Sequence, residues 1–136
     1  NPSELENMYK TIQKDKIKFI FASRYETGCS SDDDTFVTYF GTFLFTKLGR
    51  IFFGLKITDI LYTFVMGSTK SFKNLNIQNK DFTFCVELPI KANKQKILIS
   101  TSKSNERARI GGKKKVNALK DGFLILISML RLFLTK

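Results

Sequence analysis

Apolar residues recur at two different periods along this chain. Leu5, Met8, Tyr9 and Ile12 fall at i, i+3, i+4 and i+7, the spacing that keeps one face of a 3.6-residue helix apolar. Ser3 precedes Glu6 by three residues, which is capping-box spacing and predicts a short amphipathic helix from near Glu4 to about Lys14. Toward the other end, Val116, Leu119, Phe123, Leu126, Ile127, Leu130, Phe133 and Leu134 repeat at three and four residues. They predict a longer helix over about Lys114 to Leu134, its apolar stripe lying across a sheet.

Between these helices the pattern moves toward period two. Ile17, Phe19 and Phe21 share one face of a predicted strand over Lys16 to Ser23, followed by a polar surface loop from Gly28 to Asp34. Thr35 to Met66 is dense in aromatic and β-branched residues and predicts three strands, roughly Thr35–Thr46, Arg50–Ile57 and Ile60–Met66. Gly41, Leu48-Gly49 and Thr58-Asp59 are the expected breaks or bulges. Gly67 to Lys80 reads as a long polar connection. Asp81–Leu88 and Lys96–Thr101 predict a hairpin, separated by Pro89 and the turn-like Lys91-Ala92-Asn93-Lys94. Ser102 to Lys115 reads as a basic, glycine-containing loop.

The elements together predict one α+β domain over residues 1–136. Its sheet is expected to be twisted and mostly antiparallel, with five to seven strands, the C-terminal helix packed on one face and the short N-terminal helix nearby. The order, strands and then a final helix, is similar to the layout of PUR and Whirly type single-strand-binding modules. That similarity is one of layout, with no motif behind it. A chain of this length buries about two-thirds of its unfolded surface, so its core needs no metal or disulfide staple.

Charge changes the picture more than composition does. The chain carries 23 Lys and Arg against 12 Asp and Glu, a formal +11, which speaks about partners rather than fold. Lys91, Lys94, Lys96, Lys103, Arg107, Arg109, Lys113, Lys114, Lys115 and Lys120 lie in one stretch with a single carboxylate, Glu106. Such a run can neutralise several phosphates and release their counterions. Ile110-Gly111-Gly112 lets the backbone approach an anion ahead of a helix N-terminus, and Arg107 and Arg109 supply planar forks suited to phosphate oxygens. Gly111-Gly112-Lys113 lacks the upstream glycine and the Ser/Thr of a P-loop, so nucleotide hydrolysis is not supported.

Other chemistries find less material. There is no histidine, which removes Ser-His and Cys-His nucleophiles and the commonest neutral metal ligand. Cys29 and Cys85 are read as reduced thiols, Cys29 in a loop and Cys85 within a strand core. Asp32–Asp34 form a solvated run rather than a metal site, and Asp59, Asp81 and Glu87 are expected at turns or water-facing positions. No cofactor, metal site or catalytic residue is expected. The fourteen Phe and four Tyr read mainly as core, with Tyr25, Tyr39 and Tyr62 as stacking candidates for bases. Lys47, Arg50, Lys56 and Asp59 interrupt every apolar window long enough to span a bilayer, and the absence of an Asn-x-Ser/Thr sequon favours an intracellular setting in the cytoplasm, an organelle or a virion.

The expected function is non-enzymatic binding of RNA or single-stranded DNA through the basic C-terminal segment. The alternative is a structural assembly protein, viral matrix-like or organellar-ribosomal, that meets an anionic membrane surface or rRNA and forms homo-oligomers.

Overall fold

The computed structural model describes residues 1–14, 16–112 and 116–135, and its order is α1 (Pro2–Lys14), β1 (Phe19–Ser23), α2 (Phe36–Phe53), β2 (Val65–Gly67), α3 (Thr69–Asn74), α4 (Phe84–Lys94), β3 (Ile99–Lys103) and α5 (Ala118–Leu134). The α+β class, the N-terminal helix, the first strand and the existence of the C-terminal helix agree with the sequence reading, but the stripe expected to lie across the sheet is turned outward at Leu119, Phe123, Leu126, Leu130 and Phe133, and Ile125 and Met129 face the core instead. The sheet does not. It has three strands in the order β2-β1-β3 and is mixed, with β1 antiparallel to β2 and parallel to β3.

The central strand β1 is buried on both faces. Phe19 and Phe21 point into the larger core with Phe45, Val86, Leu88, Ile125 and Met129, while Ile20 and Ala22 meet Met8 of α1 on the other side. The molecule is therefore layered: α1, then the sheet, then the α2, α4 and α5 layer. Asn1 rather than Ser3 starts α1, its Oδ1 accepting from the Ser3 backbone N–H at 3.2 Å, while Glu6 pairs with Lys10 at 2.7 Å.

Phe36–Phe53, read mostly as parts of two strands, forms the long helix α2. Thr35 and Thr38 close a reciprocal capping box at its start, and Gly54 ends it in the left-handed conformation at φ 66°, where glycine carries no Cβ penalty. Its core-facing positions are Thr42, Phe45, Thr46 and Gly49, spaced i, i+3, i+4 and i+7. Three of these four are small or polar, so the helical period is nearly invisible to a count of large apolar residues. Their small size allows close packing: a Cβ on Gly49 would lie 3.0 Å from Ile60 Cδ1 and 3.1 Å from Leu55 Cδ1, and Thr46 Oγ1 accepts from the Ile60 N–H at 3.2 Å.

The expected hairpin over 81–101 is also replaced. Its first arm is helix α4, which runs through Pro89 and buries Cys85, Val86, Glu87, Leu88, Pro89, Ile90 and Ala92. A helix enclosed on nearly all sides shows a continuous apolar run, which periodicity cannot tell from a buried strand. Cys85 thus sits in a helix, and burial pushes its thiol up to about 12, which makes it inert at neutral pH. The connection 67–80 contains the short helix α3.

The edge pairing is tight at one point. Gly67 lies opposite Phe19, and a Cβ there would fall 2.2 Å from the Phe19 ring and 3.0 Å from the Lys18 carbonyl oxygen. Gly67→Ala is expected to destabilise the fold by about 1–3 kcal/mol through overpacking, read as a lower urea midpoint. An unchanged midpoint would contradict this register.

Candidate functional site

The polar heart of the molecule lies just past the carboxyl ends of the parallel strands β1 and β3. Arg24 follows β1 directly, and its guanidinium grips Asp59 through Nε at 2.7 Å and Nη2 at 3.1 Å. The Arg24 backbone N–H adds a contact to the same carboxylate at 3.3 Å. Nη1 donates to Glu106 at 2.9 Å and lies 3.7 Å from Asp34. The guanidinium sits against the rings of Tyr62 and Tyr25, 4.6 Å and 5.3 Å from their centroids.

The surrounding groups extend this hub. Tyr25 donates its hydroxyl to Asp34, which also accepts from Thr38 Oγ1 at 2.8 Å. Burial, and then the bond to Asp34, push the Tyr25 hydroxyl above its ordinary range. Burial likewise pushes the Asp59 carboxyl up, against the pull of the Arg24 guanidinium. Ser31 donates to Glu106 at 2.5 Å. The loops carrying Asp34, Asp59 and Glu106 are thereby tied to the end of β1 through one side chain. No buried side-chain nitrogen or oxygen among the described residues is left without a partner, so the hub reads as a tie between loops.

Two carboxylates expected at the surface are therefore buried. Asp59 is 1% exposed because Arg24 neutralises it. Glu87 is 2% exposed and accepts from the backbone N–H groups of Gln78 and Asn79 at 2.9 Å and 2.8 Å, with Lys91 Nζ at 2.6 Å. Burial pushes the Glu87 carboxyl up, but these donors outweigh it and hold it below the usual carboxylate range. Asp33 and Asp34 diverge, Asp33 toward Arg109 at 3.5 Å and Asp34 toward the hub. Among the described residues no group of three acidic or cysteine side chains is placed to hold a metal.

Among the described residues, several cations of 91–120 are engaged within the fold. Lys94 Nζ caps the last turn of α5, bonding the carbonyls of Leu132 and Thr135, and Lys91 bonds Glu87 and the Asn76 carbonyl. With the exposed Lys96 they occupy one end of the helical layer. Lys103 Nζ bonds the Thr27 carbonyl at 2.7 Å, Arg109 lies 3.5 Å from Asp33, and Lys120 stands in the first turn of α5. At 1.5 Å per residue, Lys120 is roughly 18 Å along α5 from Leu132. Lys113, Lys114 and Lys115 lie outside the described residues.

The feature the sequence reading missed is an apolar outer face. α2 and α5 run side by side in the same direction: their first halves line a groove of about 670 Å³ that includes Val37, Phe40, Leu44, Leu119, Phe123 and Leu126, and their last turns meet at Phe52 and Phe133, 5.7 Å apart. Phe36, Phe40, Phe43, Leu119, Phe123, Leu130 and Phe133 are all more than half exposed. α2 thus turns threonine and glycine inward and phenylalanine outward, while α5 is apolar on both faces. The 15.6 kDa chain exposes 9206 Å², whereas a compact monomer of that mass exposes roughly 7,200 Å². No helix among the described residues is long and apolar enough to cross a membrane.

No protein-family model, curated protein or solved structure matches the chain.

Proposed function

We propose that this chain is an interfacial binding protein that lays the α2–α5 face on an anionic membrane surface. The observation that carries this reading is the row of outward-facing rings and leucines on two adjacent helices, set within a chain of net charge +11. Burying a Phe or Leu side chain is worth about 1.5–3 kcal/mol, and each Lys or Arg near an anionic leaflet adds about 1 kcal/mol. Stable attachment without a spanning helix needs both signals together. Lys47 and Arg50 on α2, and Lys120 and Arg131 on α5, flank the apolar surface. A second copy would also cover it, but pairing two chains of +11 opposes their charge, which favours the anionic surface. The reading is one of binding, without a reaction.

RNA or single-stranded DNA is the second reading, supported by Lys96, Arg107 and Lys120, exposed cations in the most basic stretch of the chain. Side-by-side titrations separate the two. Vesicle co-sedimentation is expected to require anionic lipid and to survive moderate salt in part, because the rings are inserted. Anisotropy of labelled single-stranded RNA is expected to fall away steeply with salt. Salt-resistant RNA binding with no affinity for anionic vesicles would overturn the membrane reading in favour of the nucleic-acid one.

A further inference from the structure

The outer ridge of α2 separates the α2–α5 groove from a second hollow of about 560 Å³, walled by Tyr25, Tyr39 and Phe43 and rimmed by Lys47 and Arg50. Tyr25 and Tyr39 meet edge to face with centroids 5.4 Å apart, which fixes that wall. The Lys47 ammonium lies 6.0 Å from the Phe43 ring centroid. Lys47 and Arg50 are three residues apart and so project side by side from the helix. Both are exposed, and among the described residues neither side chain makes an ion pair.

The lining contains no carboxylate, and the acids nearby are already engaged. Asp34 holds Tyr25 and Thr38, Asp59 holds Arg24, and Glu26 accepts from Thr58 and Thr101. Two cations thus face an aromatic hollow whose own lining holds no carboxylate.

We propose that this hollow binds a phosphate monoester, presented by a lipid head group; the lipid source rests on the membrane reading above. A phosphate monoester carries a charge of about −1.5 to −2 at neutral pH, which matches one ammonium and one guanidinium, whereas a diester head group offers a single phosphate charge. The Arg50 fork can take two phosphate oxygens while Lys47 supplies a point charge. Placement joins the site to the face. Phe40 lines the groove and Phe43 the hollow, so acyl chains lying against the outer rings bring the phosphate to the Lys47 and Arg50 end of α2.

The test compares phosphatidylcholine vesicles doped to equal surface charge with either phosphatidylserine or phosphatidylinositol 4-phosphate. The protein is expected to prefer the monoester lipid by about tenfold. Lys47→Gln/Arg50→Gln should abolish that preference, lowering binding to the monoester lipid about tenfold more than the roughly 30-fold by which the loss of two cations lowers phosphatidylserine binding. Lys70→Gln/Lys73→Gln, which removes the same charge from α3, should keep it. A second arm follows the Tyr25 and Tyr39 ring resonances by NMR as glycerol 3-phosphate is added, with shifts expected in the wild type and lost in the Lys47/Arg50 variant. Equal binding to both vesicle types together with silent rings overturns the site and leaves the membrane reading standing. Ring shifts without any vesicle binding overturn the membrane reading and its lipid source, and support a site for a free phosphate monoester.

Discussion

Asp59→Ala is expected to lower the unfolding free energy by about 3–5 kcal/mol, the usual cost of removing one partner from a buried ion pair. Asp59 is 1% exposed and receives three donors from Arg24. Without it the guanidinium stays enclosed between Tyr25 and Tyr62 with only the less buried Asp34 and Glu106 to balance it. Domains of this size are stable by only about 5–15 kcal/mol, so the change consumes a large part of the total. Urea unfolding followed by circular dichroism measures it. The double replacement Arg24→Met/Asp59→Leu should recover much of the loss, because apolar side chains of similar volume carry no desolvation cost. A loss below about 1 kcal/mol for Asp59→Ala would mean that the hub is not what ties the loops together.

The opposite outcome is expected on the outer face. Phe40→Asp/Phe123→Asp should weaken binding to anionic vesicles by about 100-fold or more: each ring withdrawn from lipid forfeits about 1.5–3 kcal/mol, and 1.4 kcal/mol is a factor of ten. Stability should hardly move, because Phe40 and Phe123 are 56% and 64% exposed and surface substitutions usually stay within about 0.5 kcal/mol. Vesicle binding by the double variant equal to wild type would show that the charge alone accounts for attachment. A large fall in stability would show that the rings belong to the fold.

How far the sequence could be read depended on which face of each element carried the large apolar residues. α1 was legible because Met8 falls within unbroken three-and-four spacing; α5 was legible as a helix from the spacing of Leu119, Phe123, Leu126, Leu130 and Phe133, but that stripe faces outward and Ile125 and Met129 face the core. β1 was legible from the alternation of Phe19 and Phe21 with Ile20. α2 was not, because Thr42, Thr46 and Gly49 face the core while Phe36, Phe40 and Phe43 face outward, inverting the usual sign of the pattern. Phe43 and Phe45, two apart in a segment dense in aromatic residues, sit on different sides of the helix, Phe43 exposed and Phe45 buried. α4 was hidden for the opposite reason, being apolar nearly all round. The basic segment was plain as composition, but chain proximity gave no hint that Lys94 would cap α5 or that Lys91 would serve Glu87. The Arg24 and Asp59 pair, 35 residues apart, left no local trace. A signal for the outer face did exist: Phe36, Phe40, Phe43 and Leu44 follow i, i+4, i+7 and i+8, a helical stripe alongside the smaller inward one.

The central claim, that the α2–α5 face enters the membrane interface, is tested most directly by a reporter placed on it. The chain has no tryptophan, so Phe123→Trp gives a single emitting indole on α5, and Tyr9→Trp gives one at an exposed site of α1 across the sheet. On adding vesicles rich in anionic lipid, the indole at position 123 is predicted to shift its emission to the blue and become shielded from an aqueous quencher, while the indole at position 9 stays accessible. Vesicles that bind the protein while leaving position 123 open to the quencher, or that shield position 9 instead, would contradict the account.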